Sequence, residues 1–470
     1  MWQLNSRPFQ HQGAWTRREM LRAGSLLVGG LSLADLLKHR AQAATVGRAR
    51  HCIFVFLNGG PAQLDTFDLK PEAPDAIRGP YQPIATNVPG IEITEKLPKL
   101  SRLADKYAIL RSATHHLSAH NSSAAYALSG HSPGSDANIF PTAMDHPTYS
   151  AIVSKLKPSE NAMPSSVLTP RLLFDMGFPT PSAGGGWLGQ SYDPFPVARN
   201  RMMNRAPKWD GKLPPPEGLK LLDGLNAQRL HSRRSLLADV DAAFETADRK
   251  AEFTSLETYQ EQALNLILAP ECQAAFDVSL EPPEMHERYG RFEMGQVLLL
   301  SRRLIEAGVR FVTANAVSNP ENTGLSPFQI WDTHFDHFRL YNDNLMPELD
   351  QALSALIGDL DERGLLDETL ILVMGEMGRT PAINKNKDGG RDHWGQAYSV
   401  LWAGGGIRGG QIHGSTDKHA ASVKDFPARP DDIAATIFES LGIPHETTLK
   451  DVAGRPHYIT EGRPISQLLG

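Results

Sequence analysis

The residues best suited to chemistry lie late in the chain, in two short glycine-rich segments at 375–381 and 390–395. These segments contain one acid, two arginines and an Asp-His pair: Glu376, Arg379, Arg391, Asp392 and His393. They follow an apolar run at 369–374, which is typical of a buried parallel strand. In open α/β sheets, ligands bind at the carboxyl ends of such strands. The pattern therefore predicts a site for a metal ion or an anion.

Polar side chains also follow three other predicted strands. They are Asn58 and Asp65 after the first strand, His116, His120, Asn121 and Ser122 after the second, and Asp332 and His334 after a later one. Asp, Glu and His side chains from separate strand ends suit zinc or a mixed divalent metal site. The predicted pool of metal ligands is Asp65, His120, Asp332, His334, Glu376 and His393.

Two residues of this set have predicted roles in catalysis. A bound metal can lower the pKa of water and stabilise charge on a phosphoryl or sulfuryl oxygen. Arg379 could grip such an oxyanion through two N–H groups, or it could form a structural salt bridge with Glu376. Ser122, at a predicted helix N-terminus, could act as the nucleophile. Direct attack by a water molecule that the metal activates would instead make Ser122 dispensable. The other expected pocket residues are Asn58, His116, Asn121, Arg391 and Asp392.

The elements that must position these residues alternate between strands and helices. Apolar runs predict strands at 52–57, 107–111, 309–314, 369–374 and 398–403. Periodicity and capping signals predict helices at 97–106, 122–128, 292–307, 338–363 and 431–441. A further helical block at about 219–290 is interpreted as an insertion. This alternation predicts an α/β fold with a doubly wound, mostly parallel sheet flanked by helices.

The N-terminus has the pattern of an export signal. Arg17 and Arg18 form a twin-arginine motif, a mildly apolar stretch follows, and residues 41–43 supply an A-x-A cleavage site. Residues 1–43 are therefore predicted to be removed and 44–470 to form the mature domain. The stretch is too short and too weakly apolar for a stable membrane span. We expect the twin-arginine translocase as a partner and a periplasmic or extracellular location.

Composition excludes several other classes of function. The formal net charge is −6 and no run rich in lysine or arginine occurs, which argues against a nucleic-acid partner. The two cysteines, Cys52 and Cys272, lie in an apolar strand and a helical region, so a disulfide framework is not expected. The chain lacks the cysteine motifs of haem or iron–sulfur proteins, which argues against electron transfer.

An ordered set of motifs resembles one known family. The set comprises segments 59–61, 65–68, 331–334, 375–381, 390–394 and 403–406. Together they resemble the bacterial domain-of-unknown-function 1501 family over nearly the whole mature chain. That family looks like a distant branch of the alkaline phosphatase and sulfatase superfamily. The resemblance implies an alkaline phosphatase-like fold and metal-dependent hydrolysis of phosphate or sulfate esters.

The chain departs from that superfamily at several positions. Asn58 stands where alkaline phosphatase has a metal-binding Asp, and Glu376 with Met377 stands in place of an Asp-His pair. Ser122 occupies a similar nucleophile region, and His393 most resembles the last metal-binding His. No C/S-x-P-x-R sequence occurs, so a formylglycine sulfatase is not expected. The resulting hypothesis is an exported, metal-dependent hydrolase acting on a small-molecule or polysaccharide ester. The alternative is a non-catalytic envelope protein that binds a polysaccharide or an anionic ligand.

Overall fold

The computed structural model describes residues 48–175, 178–198, 268–316 and 331–470, with a few isolated positions between these ranges. The predicted export signal and most of the helical block at 219–290 lie outside the described residues, so both stay predictions. Among the helices that the structure describes, none is long and apolar enough to cross a membrane.

Eight strands form the central sheet. In chain order they are β1 His51–Phe56, β2 Tyr107–Ala113, β3 Ser166–Thr169, β4 Phe195–Pro196, β5 Phe311–Asn315, β6 Thr369–Met374, β7 Tyr398–Ala403 and β8 Gln411–His413. Their order across the sheet is β8-β2-β7-β6-β1-β5-β3-β4. Of these eight described strands, only β7 runs antiparallel to its neighbours. The predicted mostly parallel sheet is therefore confirmed.

Ten shorter strands form five two-stranded ribbons beside this sheet in the described part of the chain. The ribbons are Pro83–Ala85 with Glu92–Thr94, Phe174–Asp175 with Phe178–Pro179, Gly378–Arg379 with His393–Trp394, Ser415–Thr416 with Val423–Asp425, and Thr448–Lys450 with Pro456–Tyr458. The third of these ribbons joins the two glycine-rich segments that the sequence singled out.

The helices connect and cover the strands. They are α1 Asp75–Arg78, α2 His120–Ser129, α3 Tyr149–Leu156, α4 Pro270–Phe276, α5 Pro283–Tyr289, α6 Glu293–Glu306, α7 His337–Leu340, α8 Met346–Glu362 and α9 Pro430–Ser440. A π-helical turn at Tyr341–Leu345 joins α7 to α8, so the helix predicted at 338–363 is present with a local widening. The helix predicted at 97–106 is a 3-10 helix at Leu100–Lys106.

Helices lie on both faces of the sheet because its central strands are apolar on both faces. Alternate side chains of β1 enter two different cores: Ile53 and Val55 on one side, Cys52, Phe54 and Phe56 on the other. The first core is closed by α6 and α8, and the second by α2, α3 and α9. Burial on both faces is the usual condition of parallel strands.

The sheet register brings the ends of four strands to one edge. Phe56 at the end of β1 lies opposite Met374 of β6 and Asn315 of β5, and β2 runs in the same direction. Gly59, just beyond β1, adopts a φ of 110°, and a Cβ there would collide with the backbone nitrogen of Asp332. The loops that follow these strands are therefore packed against each other.

Candidate metal centre

Four polar side chains from three separate segments converge beyond this edge. His120 is the first residue of α2, Asp332 and His334 lie in the loop between β5 and α7, and His393 lies in the ribbon with Gly378–Arg379. Asp332 Oδ1 is 3.3 Å from His120 Nε2, 3.0 Å from His334 Nε2 and 3.1 Å from His393 Nε2. The Nε2 atoms of His334 and His393 are 2.9 Å apart. The structure thus brings together four of the six predicted ligands.

The separations are close to those that one metal ion would impose. Nitrogen and oxygen ligands lie about 2.0–2.2 Å from zinc, so adjacent ligands of a tetrahedral site are about 3.3–3.6 Å apart. The shortest separation in the cluster, 2.9 Å, is only a few tenths of an ångström below that range. One ligand atom each from His120, Asp332 and His393 lies within 4.8 Å of the others. His334 Nε2 adjoins Asp332 and His393 but lies outside this group, so it would have to move towards His120 to become a fourth ligand of the same ion.

The ring of His120 carries an atom that suits a metal. Its Nε2 is buried and makes no hydrogen bond with any described residue, although it lies within 3.3 Å of Asp332 Oδ1. Its Nδ1 lies 2.6 Å from Glu376 Oε1. When Nδ1–H donates to that carboxylate, the lone pair of Nε2 faces the cluster, which is the form of imidazole that binds metals. The residues present therefore fit a divalent ion.

Carboxylates behind the imidazoles fix their orientation. Glu376 is fully buried, and both of its oxygens accept the backbone N–H of Gly59, at 2.9 and 3.0 Å. Asp392 Oδ1 lies 2.6 Å from Nδ1 of His334. Such partners hold the ring of a metal-binding histidine and raise its basicity. Glu376, predicted as a direct ligand, therefore lies one step behind the candidate ligands, and Asp392 has the equivalent position behind His334.

The charges of the cluster favour a divalent cation. Asp332, Glu376 and Asp392 supply three negative charges and Arg379 supplies one positive charge, which leaves two negative charges when the histidines are neutral. Burial raises the pKa of Asp332, but the three neighbouring imidazoles and the charge of Arg379 outweigh burial and hold it well below its usual range. Burial lowers the pKa of His120, yet the two neighbouring carboxylates raise it to about 9. Without a cation, His120 thus carries a proton that a bound ion would replace.

Arg379 holds the loops together. It is fully buried, with Nε donating to the Gly60 carbonyl at 2.9 Å and Nη1 to the Arg391 carbonyl at 3.1 Å. Its Nη2 donates to Asp332 Oδ1 at 2.7 Å and also to the Gly59 carbonyl. All three guanidinium nitrogens are therefore engaged within the protein. The oxyanion clamp predicted for Arg379 would require these bonds to break, and the alternative salt bridge is to Asp332 rather than to Glu376.

Asp65 lies in a separate buried ion pair. Its Oδ2 accepts Nε of Arg391 at 2.7 Å and Nε2 of His337 at 2.9 Å, and its Oδ1 accepts Nη2 of Arg391 at 3.2 Å. Arg391 donates its remaining N–H groups to backbone carbonyls. Both Asp65 and Arg391 are fully buried. The structure therefore does not bring Asp65, a predicted ligand, or Arg391, a predicted pocket residue, to the four converging side chains.

Ser122 is placed differently from the sequence-based expectation. Helix α2 begins at His120, two residues before the predicted start, so Ser122 lies inside the first turn. Its Oγ donates to the Ala119 carbonyl at 3.1 Å and lies 3.4 Å from Asp136 Oδ1. The hydroxyl is thus bonded within the first turn of α2 in this geometry. Its role as nucleophile stays a prediction.

The other three predicted pocket residues have varied positions. Asn121 is buried, and its Nδ2 donates to the Ile139 carbonyl at 3.0 Å. Asn58 is also buried, and its backbone carbonyl accepts the N–H of Trp331 at 3.1 Å. His116 is exposed to solvent. None of these observations assigns a ligand contact to the three residues.

Two buried histidines near the site were not predicted. His337 is the partner of Asp65 described above, and His115 Nε2 donates to the Glu376 carbonyl at 2.7 Å. His115 therefore fixes the backbone of the residue that orients His120. Both histidines lie in polar clusters that follow predicted strands, but neither belongs to the predicted set of site residues.

Comparisons with known proteins give a family and distant structural similarities. The family described as "Protein of unknown function (DUF1501)" matches residues 49–469. No curated protein matches the sequence significantly. Similar solved structures include the phosphonate monoester hydrolase SpPMH from Silicibacter pomeroyi, with 15% identity and a TM-score of 0.36 over 90% of this chain and 76% of that chain. The PsFucS1 sulfatase from Pseudoalteromonas sp. has 14% identity and a TM-score of 0.37 over 87% and 70% of the two chains. The lipoteichoic acid synthase LtaP from Listeria monocytogenes has 9% identity and a TM-score of 0.32 over 89% and 88%. Similarities this distant carry no argument about activity.

Proposed function

This chain belongs to the DUF1501 family, and from that premise we propose that it is an exported, metal-dependent hydrolase of phosphate or sulfate esters. The observation that supports the proposal most is the convergence of His120, Asp332, His334 and His393 at the carboxyl edge of the sheet. The identity of the metal is part of the test, with zinc as the first candidate because three nitrogen ligands and one oxygen ligand suit it.

The two sides of the cluster have different environments. Glu376 and Arg379 are sealed from solvent behind the ligands, whereas the side chains of Asp332, His334 and His393 are 21%, 29% and 24% exposed. A substrate can therefore approach from the open side while the buried residues keep the ligand atoms in place. A bound divalent ion would polarise an ester oxygen and lower the pKa of a water molecule.

The first experiment measures metal and turnover together. Mature protein purified from its own export route is analysed for bound metals and assayed with phosphate monoesters, phosphate diesters and sulfate esters. We expect close to one ion per chain and hydrolysis of at least one ester class. His120→Ala and His393→Ala should lose both, whereas His413→Ala, which removes a partly buried histidine of β8 that lies in no group of candidate metal ligands among the described residues, should keep both. Metal below a tenth of stoichiometry, with no turnover, refutes the proposal.

The nucleophile needs a separate variant. Ser122→Ala removes only the hydroxyl, whose bond to the Ala119 carbonyl contributes about 1 kcal/mol to stability. Loss of turnover with unchanged metal content would identify Ser122 as the nucleophile. Retained turnover would leave direct attack by water.

Location outside the cytoplasm is also proposed, on the basis of the twin-arginine pattern at residues 17–18. Replacement of both Arg17 and Arg18 by Lys should retain the full-length protein in the cytoplasmic fraction. Export of this double variant at the parent level would contradict twin-arginine transport.

A second candidate function is a non-catalytic envelope binding protein that keeps the same fold and pocket. Arg379 and Arg391 favour it, because their guanidinium nitrogens are engaged within the protein and neither is free to stabilise charge on a substrate. Saturable binding of a polysaccharide or an anionic ligand, with no turnover of any ester, would support this candidate.

A further inference from the structure

A cavity of about 460 Å³ lies beside α2 and the first turn of α9. It is lined by Tyr126 of α2 and Asp431 of α9, among others. Tyr126 follows His120 by six residues, which corresponds to about 9 Å along an α-helix. The chain enters α9 through Ala428, which bridges to Ala113 at the end of β2. The cavity is therefore near the metal-centre edge of the sheet, but none of the four candidate ligands is among its described lining residues.

Stacked rings form one wall of this cavity. His131 stacks on His146 with ring centres 3.8 Å apart and a 12° angle between planes. His457 stacks on the buried Trp187 at 4.7 Å and 25°. Trp187 Nε1 also donates to His146 Nδ1 at 3.4 Å, and His457 Nε2 lies 3.0 Å from Asp451 Oδ2. One nitrogen of each of these rings is thus fixed by the protein, including His131 Nε2, which donates to a backbone carbonyl at 3.1 Å.

The charges at the cavity are paired. Asp431 accepts the hydroxyl of Tyr126 at 2.7 Å through Oδ1 and the guanidinium of Arg429 at 2.8 Å through Oδ2. Burial lowers the pKa of His131, and burial with the neighbouring imidazoles lowers the pKa of His146 to about 4, so both rings are neutral near pH 7. The cavity therefore offers no unpaired cation to an anionic ligand.

The same features argue against a metal ion and an apolar ligand. Both oxygens of Asp431 are occupied, which leaves Glu461 as the remaining carboxylate among the described lining residues. The His131, His146 and His457 rings do not bring three ligand atoms together as His120, Asp332 and His393 do. An apolar ligand would cover the polar groups of Asp431 and the imidazoles without replacing their contacts with water, which costs free energy.

We propose that this cavity binds a neutral, polyhydroxylated ligand, namely a monosaccharide, a disaccharide or a related polyol. Hydroxyl groups both donate and accept, so they can pair with the second nitrogen of each imidazole, with the oxygen of Tyr126 and with the carboxylate of Glu461. The volume lies within the range of about 300–1,000 Å³ that is usual for small-molecule sites. Tyr458, 58% exposed at the rim, adds an aromatic surface for the C–H groups of a sugar ring. This site is independent of the proposed ester hydrolysis.

The test is a titration of the full mature protein with defined probes. Methyl glucoside, methyl galactoside, cellobiose and myo-inositol are titrated by ligand-observed NMR, with inorganic phosphate and zinc as charged comparisons. We expect saturable binding of at least one neutral probe, and weakening of at least tenfold in His457→Ala. His445→Ala is the matched control, because His445 is also a partly exposed histidine paired with a carboxylate, Glu439, at 2.7 Å.

Two further variants keep the outcome decisive. Tyr126→Phe removes only a hydroxyl and should weaken the same probe even if His457→Ala is poorly folded. His120→Ala should bind the neutral probe as the parent does, so failure of the metal centre and failure of this cavity are distinguishable. The proposal would be overturned if no neutral probe bound, or if phosphate alone bound saturably. It would also be overturned if His457→Ala and Tyr126→Phe both bound the neutral probe as tightly as the parent does.

Discussion

Replacement of Glu376 by Gln tests whether a carboxylate behind the ligands controls the metal centre. The substitution keeps the shape of a fully buried side chain and removes its charge. Two contacts change: the 2.6 Å contact with His120 Nδ1, and the acceptance of the Gly59 N–H by both carboxylate oxygens. The amide of Gln has one oxygen, so its NH₂ group must face one of these two donors.

The expected loss follows from these two contacts. A hydrogen bond to a charged group is about twice as strong as a neutral one, so loss of charge assistance at His120 costs about 1 kcal/mol. The contact with the Gly59 N–H is present with and without the metal, so its loss lowers the stability of the fold rather than the metal affinity. The loss at His120 alone corresponds to roughly a fivefold weaker metal affinity. This value lies just below the range of about 10–100-fold that is typical for such partners.

The measurement is competition for zinc with a chromophoric chelator at fixed pH. Glu362→Gln is the control, because Glu362 is a carboxylate paired with Arg288 at 2.6 Å and lies in no group of candidate metal ligands among the described residues. Glu362→Gln should bind zinc as the parent does, and His393→Ala should lose the site. If Glu376→Gln binds zinc within threefold of the parent while His393→Ala does not bind it, Glu376 does not orient His120.

Three other perturbations separate ligands from structural residues. Chelation should lower the Tm of the parent but not of Asp332→Asn, which lacks a ligand for the ion. An ion at 100 times its Kd stabilises the folded state by about 2.7 kcal/mol. Equal shifts of Tm in the two proteins would argue against this site. Asp65→Asn should lower the free energy of unfolding, measured in urea, by about 3–5 kcal/mol, because it breaks a buried ion pair with Arg391 and His337. Its metal content per folded molecule should stay unchanged, whereas lost metal at parental stability would make Asp65 a ligand. Arg379→Lys cannot supply all the donors that reach Asp332 and the nearby carbonyls, so we expect the free energy of unfolding in urea to fall by about 2–4 kcal/mol. A fall below about 0.5 kcal/mol would contradict the role of Arg379 in holding the loops together.

The sequence determined the fold class and the residue types at the site. The apolar run at 369–374 predicts the strand that the structure shows at Thr369–Met374, because a strand buried on both faces needs no polar positions. The polar residues after each such run predict the loops that supply His120, Asp332 and His393, since parallel strands end at one edge. These inferences are local, or depend only on the direction of the chain.

The tertiary structure alone decided what each polar residue does. Glu376 faces His120 across 256 positions of sequence, and Asp65 faces Arg391 across 326. A carboxylate at a strand end has the same local sequence signature whether it binds a metal, orients a histidine or neutralises an arginine. Which role it takes depends on the side chain that the sheet register places opposite it, and that register is set by packing between segments far apart in the chain.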